Sequence, residues 1–301
     1  MSFPPSVHAV LVSVAGLVRS AVPVGGGDVS QAARVETEAG AVFVKWAEGA
    51  AGQTYAAEAA GLAALASCAG EAGAELAVPS PLAFRAPDRG TPGVLVLPWL
   101  DRGRPTPADW RRFGGALASL HRVDAGTAYG WEADNWIGSK PQRNGWEASW
   151  PRFFGERRLR AQAETVRLRG AWDPAWDGPL ERLLARLGEI LPETPPRSLL
   201  HGDLWAGNAL PTAEPGDPRT GSRFALIDPA VSVGHREADL AMTELFGGFA
   251  EPFYDGYREA WPLEPGYEER REVYNLFHLI NHLTHGPGYR APVERTLRRF
   301  A

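Results

Sequence analysis

"LLHGDLWAGNAL", Leu199–Leu210, interrupts an apolar run with an acid, an indole and an amide, and "FALIDPA", Phe224–Ala230, ends a second apolar run in another acid. Two short strand-like runs, Ser198–Leu200 and Phe224–Ile227, flank the first motif and a polar turn, Pro211–Ser222. Their spacing predicts a small β-ribbon with Asp203, Asn208 and Asp228 at one end, and Gly207 letting the backbone turn between the first two. Those three residue types suit phosphoryl transfer. That reaction needs an acceptor for the attacking hydroxyl's proton, oxygen ligands for Mg²⁺ and positive charge on the phosphates. Asp203 can accept the proton, while Asn208 and Asp228 offer an amide oxygen and a carboxylate to a hard cation. The interval D-x-x-x-x-N is that of a protein-kinase catalytic loop, and Asp228 falls where kinases carry the acid of D-F-G. Taken singly, each residue also has a plain reading: Asp203 caps a turn, Asn208 takes a left-handed backbone, Asp228 opens a tight turn.

Upstream, the same chemistry needs a cation and a phosphate cradle. Gly25-Gly26-Gly27 joins two strand-like runs and does not open a helix, so it is neither a Walker loop nor a dinucleotide fingerprint. It is either a plain hairpin turn or a turn that lays backbone N–H groups over phosphates. Lys45 follows Gly27 by eighteen residues in "AVFVKWA", sharing a strand face with Phe43 and opposed to Val42, Val44 and Trp46. Glu58 is the only acid in the Ala-rich helix predicted over Thr54–Gly70, which makes it the candidate partner of Lys45. The order Gly turn, strand Lys, helix Glu, H-G-D-x-x-x-x-N and strand-ending Asp is specific where its members are not.

The rest of the chain predicts an α+β protein with a protein-kinase-like, two-lobed fold: a small β-rich N-terminal lobe over 1–98 and a larger, mainly helical lobe over 99–301. Val7–Val18 reads as an amphipathic helix, Val22–Trp46 as a β-region and Gly93–Leu100 as a buried strand ended by Pro98. Helices are predicted at Pro107–His121 (capped by Thr106), Trp150–Arg169, Pro179–Leu191, Ala238–Phe246, Pro252–Ala260 and Tyr267–Leu283. The Trp- and Gly-rich segment Tyr129–Trp146 reads as irregular. A net charge of -5 argues against general nucleic-acid binding, and the single Cys68 excludes a disulfide framework or a Cys-based zinc site within one chain. No run is long enough to span a membrane and no leader precedes Val7, so a cytoplasmic protein is expected.

The long motifs "HGDLWAGN" and "IDPAVSVGHREADLAMTELFGGF", with "GWEADNWIGSKPQRNGWEASWPRFFGERRLRAQ" and "VYNLFHLINHLTHGPGY", resemble the fructosamine (ketosamine) 3-kinases over nearly the whole chain. The resemblance implies an ATP-dependent kinase that phosphorylates the sugar 3-hydroxyl of a fructosyl- or ribulosyl-amine, giving an unstable product that releases the amine: deglycation of a small sugar amine or a glycated protein. It places Asp203 as the catalytic acid, Asn208 and Asp228 as Mg²⁺ ligands, and Gly25, Gly26, Gly27, Lys45 and Glu58 about the phosphates of ATP. Pro98, Trp99 and Leu100 fall at the hinge that reads adenine, and Asp239 at a helix start that braces the catalytic loop. Trp205 either walls the sugar pocket or packs under the loop, and His282 lies on the acceptor side. Several family members carry a Cys near the Gly-rich loop; here Asp28 stands at about that place, and a monomer is expected. Two alternatives stay open: an aminoglycoside- or choline-type kinase of the same fold, to which the acids Glu251, Asp255, Glu259, Glu264, Glu268 and Glu269 would suit a cationic acceptor, and a catalytically silent nucleotide-binding scaffold.

Overall fold

Alternation of apolar and polar residues sets the first sheet. In the computed structural model, which describes residues 2–25, 30–213 and 222–301, the strands β1 (Val18–Pro23), β2 (Gln31–Thr37) and β3 (Gly40–Ala47) form a meander. Two further strands, β5 (Ala83–Arg85) and β6 (Gly93–Pro98), complete an antiparallel sheet of order β1-β2-β3-β6-β5. Gly26, Gly27 and Asp28 lie outside the described residues. Helix α1 (Pro5–Ala15) lays Val7, Leu11 and Ala15 on the face made by Val42, Val44, Trp46, Val94 and Val96. Helix α2 (Gly49–Glu71) covers the opposite face, packing Tyr55, Ala59 and Leu62 on Leu95, Leu97 and Phe43. The first helix stops three residues before the expected Val18, because Gly16 takes φ +76° and Val18 already pairs with Thr37.

The helical lobe starts at α3 (Pro107–Arg122), whose capping box has Thr106 Oγ1 accepting from Asp109 N and the Asp109 carboxylate accepting from Thr106 N. Helix α8 (Glu251–Ala260) crosses α3 at Gly114 and Gly256: a Cβ on either would overlap a carbonyl oxygen of the other helix. The segment expected to be irregular contains a hairpin, β7 (Asn135–Ile137) with β8 (Lys140–Gln142). Residues Trp150–Leu168 are helical throughout, α4 (Trp150–Phe153) passing through a π segment, Phe154–Arg160, into α5 (Ala161–Leu168). Helices α6 (Asp177–Ile190), α7 (Glu237–Leu245), α9 (Tyr267–His282) and α10 (Arg290–Phe300) close a core that includes Trp150, Phe154, Leu183, Tyr274 and Leu297.

The expected single β-ribbon is corrected. Strand β9 (Ser198–Leu200) pairs with β12 (Ser232–Gly234), whereas β10 (Ala209–Ala213) pairs with β11 (Ser222–Leu226). Each strand pairs with the segment that returns beside it, so "HGDLWAGN" is an arch between two ladders and not the tip of one. The polar turn is correspondingly shorter, since Pro211–Ala213 is already strand. Strand β4 (Leu76–Ala77) runs parallel to β11, so a piece of the 1–98 segment is built into the sheet whose strand β11 ends two residues before Asp228. Among the described residues no helix is long and apolar enough to cross a membrane.

Candidate active site

The arch is fixed from beneath before any of its functional groups is considered. Asp239, in the first turn of α7, accepts from His201 N at 2.7 Å through Oδ2 and from Gly202 N at 2.9 Å through Oδ1. The same Oδ2 lies 3.3 Å from Nε2 of His121, whose Nδ1 is 2.9 Å from the Tyr257 hydroxyl on α8. Burial works to raise the Asp239 pKa, but the bonds and charge from His121 and the loop amides hold it below the usual carboxylate range. His201 Nε2 donates to Ile227 O at 2.9 Å and its Nδ1 accepts from Asp203 N at 3.2 Å, which fixes the tautomer and ties the arch to the end of β11. Burial lowers the His201 pKa, so the ring is a neutral strut. Gly202 sits at φ +80°, and a Cβ there would overlap the carbonyl oxygen of Ala230.

Within the arch, Asn208 Nδ2 donates to the main-chain oxygen of Asp203 at 2.9 Å and to its Oδ2 at 3.2 Å. The amide is thereby turned so that Oδ1 is the atom left for a cation. The Asp203 carboxyl is pushed up to about 7, first by burial and then by the charge of Asp228. The Trp205 indole folds over Gly207, where a Cβ would overlap the ring, and remains 43% exposed. Gly207 therefore serves the indole and not the backbone: its φ is not in the left-handed region.

Lys45 and Glu58 are brought together as the sequence predicts, and a third group joins them. Lys45 Nζ lies 2.6 Å from Glu58 Oε2 and 2.6 Å from Asp228 Oδ1. Burial opposes the Lys45 ammonium, but the two carboxylates override it and hold its pKa above the ordinary range. Glu58 is pushed up to about 8 by burial, against the pull of Lys45, and its Oε1 is buried without a partner. Burial also disfavours charge on Asp228, yet Lys45 keeps that carboxyl below its usual value. Asp228 is the one non-glycine residue at positive φ (50°) among the described residues. Pro229 disfavours the right-handed helical region for the residue before it, and Asp228 holds its left-handed backbone while its carboxylate meets Lys45.

At the hinge, Trp99 N donates to Ala41 O at 3.2 Å and the indole Nε1 to Asp101 Oδ1 at 2.9 Å. Trp99 N–H is thus committed to the sheet, and Pro98 has none. His282 donates from Nδ1 to His278 O at 2.7 Å and stands in an aromatic group with Phe246, His285 and Tyr289, at centroid separations of 4.9, 5.0 and 5.1 Å. No contact ties His282 to Asp203, although Gly248, two residues beyond Phe246, lies against Ala206 of the arch. Sequence reasoning missed His121, Tyr257 and the β7–β8 hairpin. Asn135 Nδ2 donates to Val231 O at 2.8 Å and Gln142 Nε2 to Ala230 O at 2.9 Å, holding the chain that follows Asp228. The amides in the Trp- and Gly-rich segment were the available signal.

Among the described residues no three His, Cys, Asp or Glu side chains form a cage for a metal ion. The donors present are one carboxylate and one amide oxygen beside a lysine, and such a set fits Mg²⁺ that is completed by substrate phosphates and water.

The profile described as "Fructosamine kinase" matches residues 10–301. The chain belongs to the fructosamine kinase family. A probable ketoamine kinase of Synechocystis sp. is 40% identical over 262 residues, covering 85% of this chain and 82% of its own. A chloroplastic protein-ribulosamine 3-kinase of Arabidopsis thaliana is 34% identical and covers 89% of this chain and 78% of its own. The crystal structure of a putative fructosamine-3-kinase from Thermobifida fusca, 32% identical, superposes with a TM-score of 0.82 over 97% of both chains. As a fructosamine kinase family member, the protein is an ATP-dependent phosphotransferase of protein-kinase-like fold that acts on a sugar hydroxyl of a ketosamine.

Proposed function

We propose that the protein phosphorylates the 3-hydroxyl of fructosyl- or ribulosyl-amines, and that Asp203 is the catalytic residue. The convergence of Asp203, Asn208, Asp228 and Lys45 around one arch carries the reading. ATP with Mg²⁺, when bound, supplies an electrophilic γ-phosphorus whose leaving oxygen is neutralised. Lys45, aimed by Glu58, neutralises the phosphates. Asn208 Oδ1 and the Asp228 carboxylate would hold the metal, and Pro98 O and Leu100 N would meet adenine. Asp203 holds the sugar hydroxyl in line and accepts its proton as the new O–P bond forms. Its pKa of about 7 suits a group that must take up that proton and release it near neutrality. The exposed Trp205 face would stack on the C–H face of the sugar, with His282 on the acceptor side.

An aminoglycoside-type acceptor site is disfavoured by three of the six acids that first allowed it. Glu251 and Asp255 pair with Arg258, and Glu259 with Arg111, so their charge is not presented to a polycation. A silent scaffold is disfavoured by the complete set of phosphoryl-transfer groups. The lobes divide near Pro98, apart from β4. We take the working form to be a cytoplasmic monomer that acts in deglycation on free glycated amines or on glycated protein.

The deciding experiment is an acceptor screen with fructosyl-lysine, ribulosyl-lysine, kanamycin and choline, with ³¹P and ¹³C NMR to locate the phosphate. Phosphorylation at the ketosamine 3-position is expected. Turnover of kanamycin or choline alone would remove the reading, and ATP binding without turnover of any acceptor would favour the scaffold.

A further inference from the structure

Lys140 has no part in the phosphotransfer groups. It stands in β8 opposite Ile137 and is 1% exposed. A buried ammonium is ordinarily paired with a carboxylate, because leaving one unpaired is costly. Among the described residues no carboxylate and no hydrogen-bond acceptor meets Lys140. Burial pushes its pKa down to about 8, and the neighbouring charge of Arg169 pushes the same way. Arg169 Nη2 donates to Ser139 O, in the turn of the same hairpin, at 3.3 Å. An apolar side chain would suit such a place, so the charge is what needs explaining.

The neighbours of Lys140 lie beside the arch. Side chains alternate along a strand, so Lys140 and Gln142 share a face of the hairpin. Gln142 Nε2 donates to Ala230 O, and Ala230 N donates to His201 O at the start of the arch at 2.8 Å. From the other side α9 brings His282. Burial lowers the His282 pKa against its bond to His278 O, and the charges of His285 and Lys140 lower it further. One turn earlier on α9, His278 holds Nδ1 buried without a hydrogen-bond partner. The ring group of His282 includes Phe246, and Gly248, two residues on, lies against Ala206 of the arch. A lysine and an imidazole without acid partners thus face each other next to the acceptor side of the arch.

We propose that Lys140 and His282 form an anion-binding subsite for the acceptor, so that the preferred ketosamines carry a negative group: a carboxylate on the amine part or a phosphate on the sugar. The proposal rests on placing the acceptor beside Trp205 and His282. A bound anion supplies the acceptor that Lys140 lacks, and the cost of burying the ammonium is then offset only when substrate is present. A free glycated amino acid offers such a carboxylate. A lysine glycated within a protein does not, because its carboxyl is spent in the peptide bond.

The test measures KM for fructosyl-glycine and fructosyl-lysine, each against its carboxamide, and for fructosamine 6-phosphate against fructosamine. The charged member of at least one kind of pair should have a KM roughly 10- to 100-fold lower, the worth of a hydrogen bond to a charged group. Whether the carboxylates or the phosphate gain it tells the two sources apart. Lys140→Met should bring the charged member to the level of its uncharged partner without a matching rise in the KM for ATP. Its melting temperature should not fall, because an unpaired buried charge is removed. Equal KM values within every pair, or a preference that survives Lys140→Met, would overturn the proposal. If Lys140→Met does not fold, His282→Gln reads the same preference, which should shrink; an unchanged preference there overturns the proposal as well. If the unaltered protein phosphorylates no ketosamine, the acceptor placement falls and this subsite with it. If it phosphorylates them without regard to charge, only the subsite falls.

Discussion

Lys45 Nζ is 2.6 Å from Asp228 Oδ1, joining residues 183 positions apart in the chain. The contact occupies one carboxylate oxygen and leaves Asp228, 49% exposed at its side chain, with the other for a cation. Asp228→Ala should therefore weaken nucleotide binding in Mg²⁺ by on the order of 30-fold, and much less in EDTA. Calorimetric titration with ATP in both buffers reads the difference. Equal losses in the two would separate Asp228 from the metal.

Asp203→Asn keeps the shape of the arch and removes the proton acceptor. The expected fall in kcat is roughly 10²- to 10⁴-fold, with ATP affinity nearly intact. Single-turnover rates and equilibrium nucleotide binding, measured on the same sample, separate chemistry from binding. An unchanged kcat would take Asp203 out of its role.

Gly202→Ala addresses the backbone beneath the chemistry. The substitution puts a Cβ into the Ala230 carbonyl and forces an L-residue to φ +80°. A loss of roughly 2–4 kcal/mol is expected from the two costs combined. Urea unfolding should show a lower midpoint at unchanged slope, accompanied by lower kcat as the Asp239 bonds to His201 N and Gly202 N are disturbed.

Trp205→Ala probes the acceptor side. With 43% of the indole already exposed, stability should barely change. The KM for a ketosamine should rise roughly threefold to tenfold if the ring stacks on the sugar, and Trp205→Phe should recover part of it. Equal effects on the ATP KM would count against an acceptor role.

Two buried histidines contribute to the pH dependence of stability. Burial, first, and neighbouring positive groups lower His235 and His278 to about 3, so both are neutral in the folded protein. In the unfolded chain they protonate near the ordinary value of about 6.5. Below that pH each of these two sites binds more protons in the unfolded state, so their contribution to stability falls as pH drops from about 6.5 towards 3, while Asp203 and Glu58, raised to about 7 and about 8, contribute with the opposite sign over part of that range. The slope is about 1.4 kcal/mol per pH unit for each histidine. His278→Gln should remove one of the two contributions, visible in urea unfolding at pH 7, 6 and 5.

Local spacing carried much of this site. Asp203 and Asn208 are five residues apart, and Asp228 ends an apolar strand, so the order of residues displays their chemistry. Lys45 and Glu58 were readable because a strand and the helix after it are neighbours. The supports were not readable in the same way. Asp239, which reaches His201 across 38 residues, was placed beneath the loop only by the family resemblance; His121 reaches Tyr257 across 136 and Gln142 reaches Ala230 across 88. Such pairs leave no periodic trace. The β-ribbon failed for a related reason: short apolar runs mark Ser198–Leu200 and Phe224–Ile227 as strands but not their partners. The π segment at Phe154–Arg160 keeps helical composition, so nothing in the residues announces it.

The parallel pairing of β4 with β11 bears on how the molecule can be divided. A protease cut after Pro98, or separate expression of the two halves, would leave Leu76 and Ala77 in one piece and their β11 partners, Phe224 and Ala225, in the other. The helical half would then present a bare strand edge two residues from Asp228, open to pairing with another chain. Complementation between the halves should succeed only when β4 travels with the helical one.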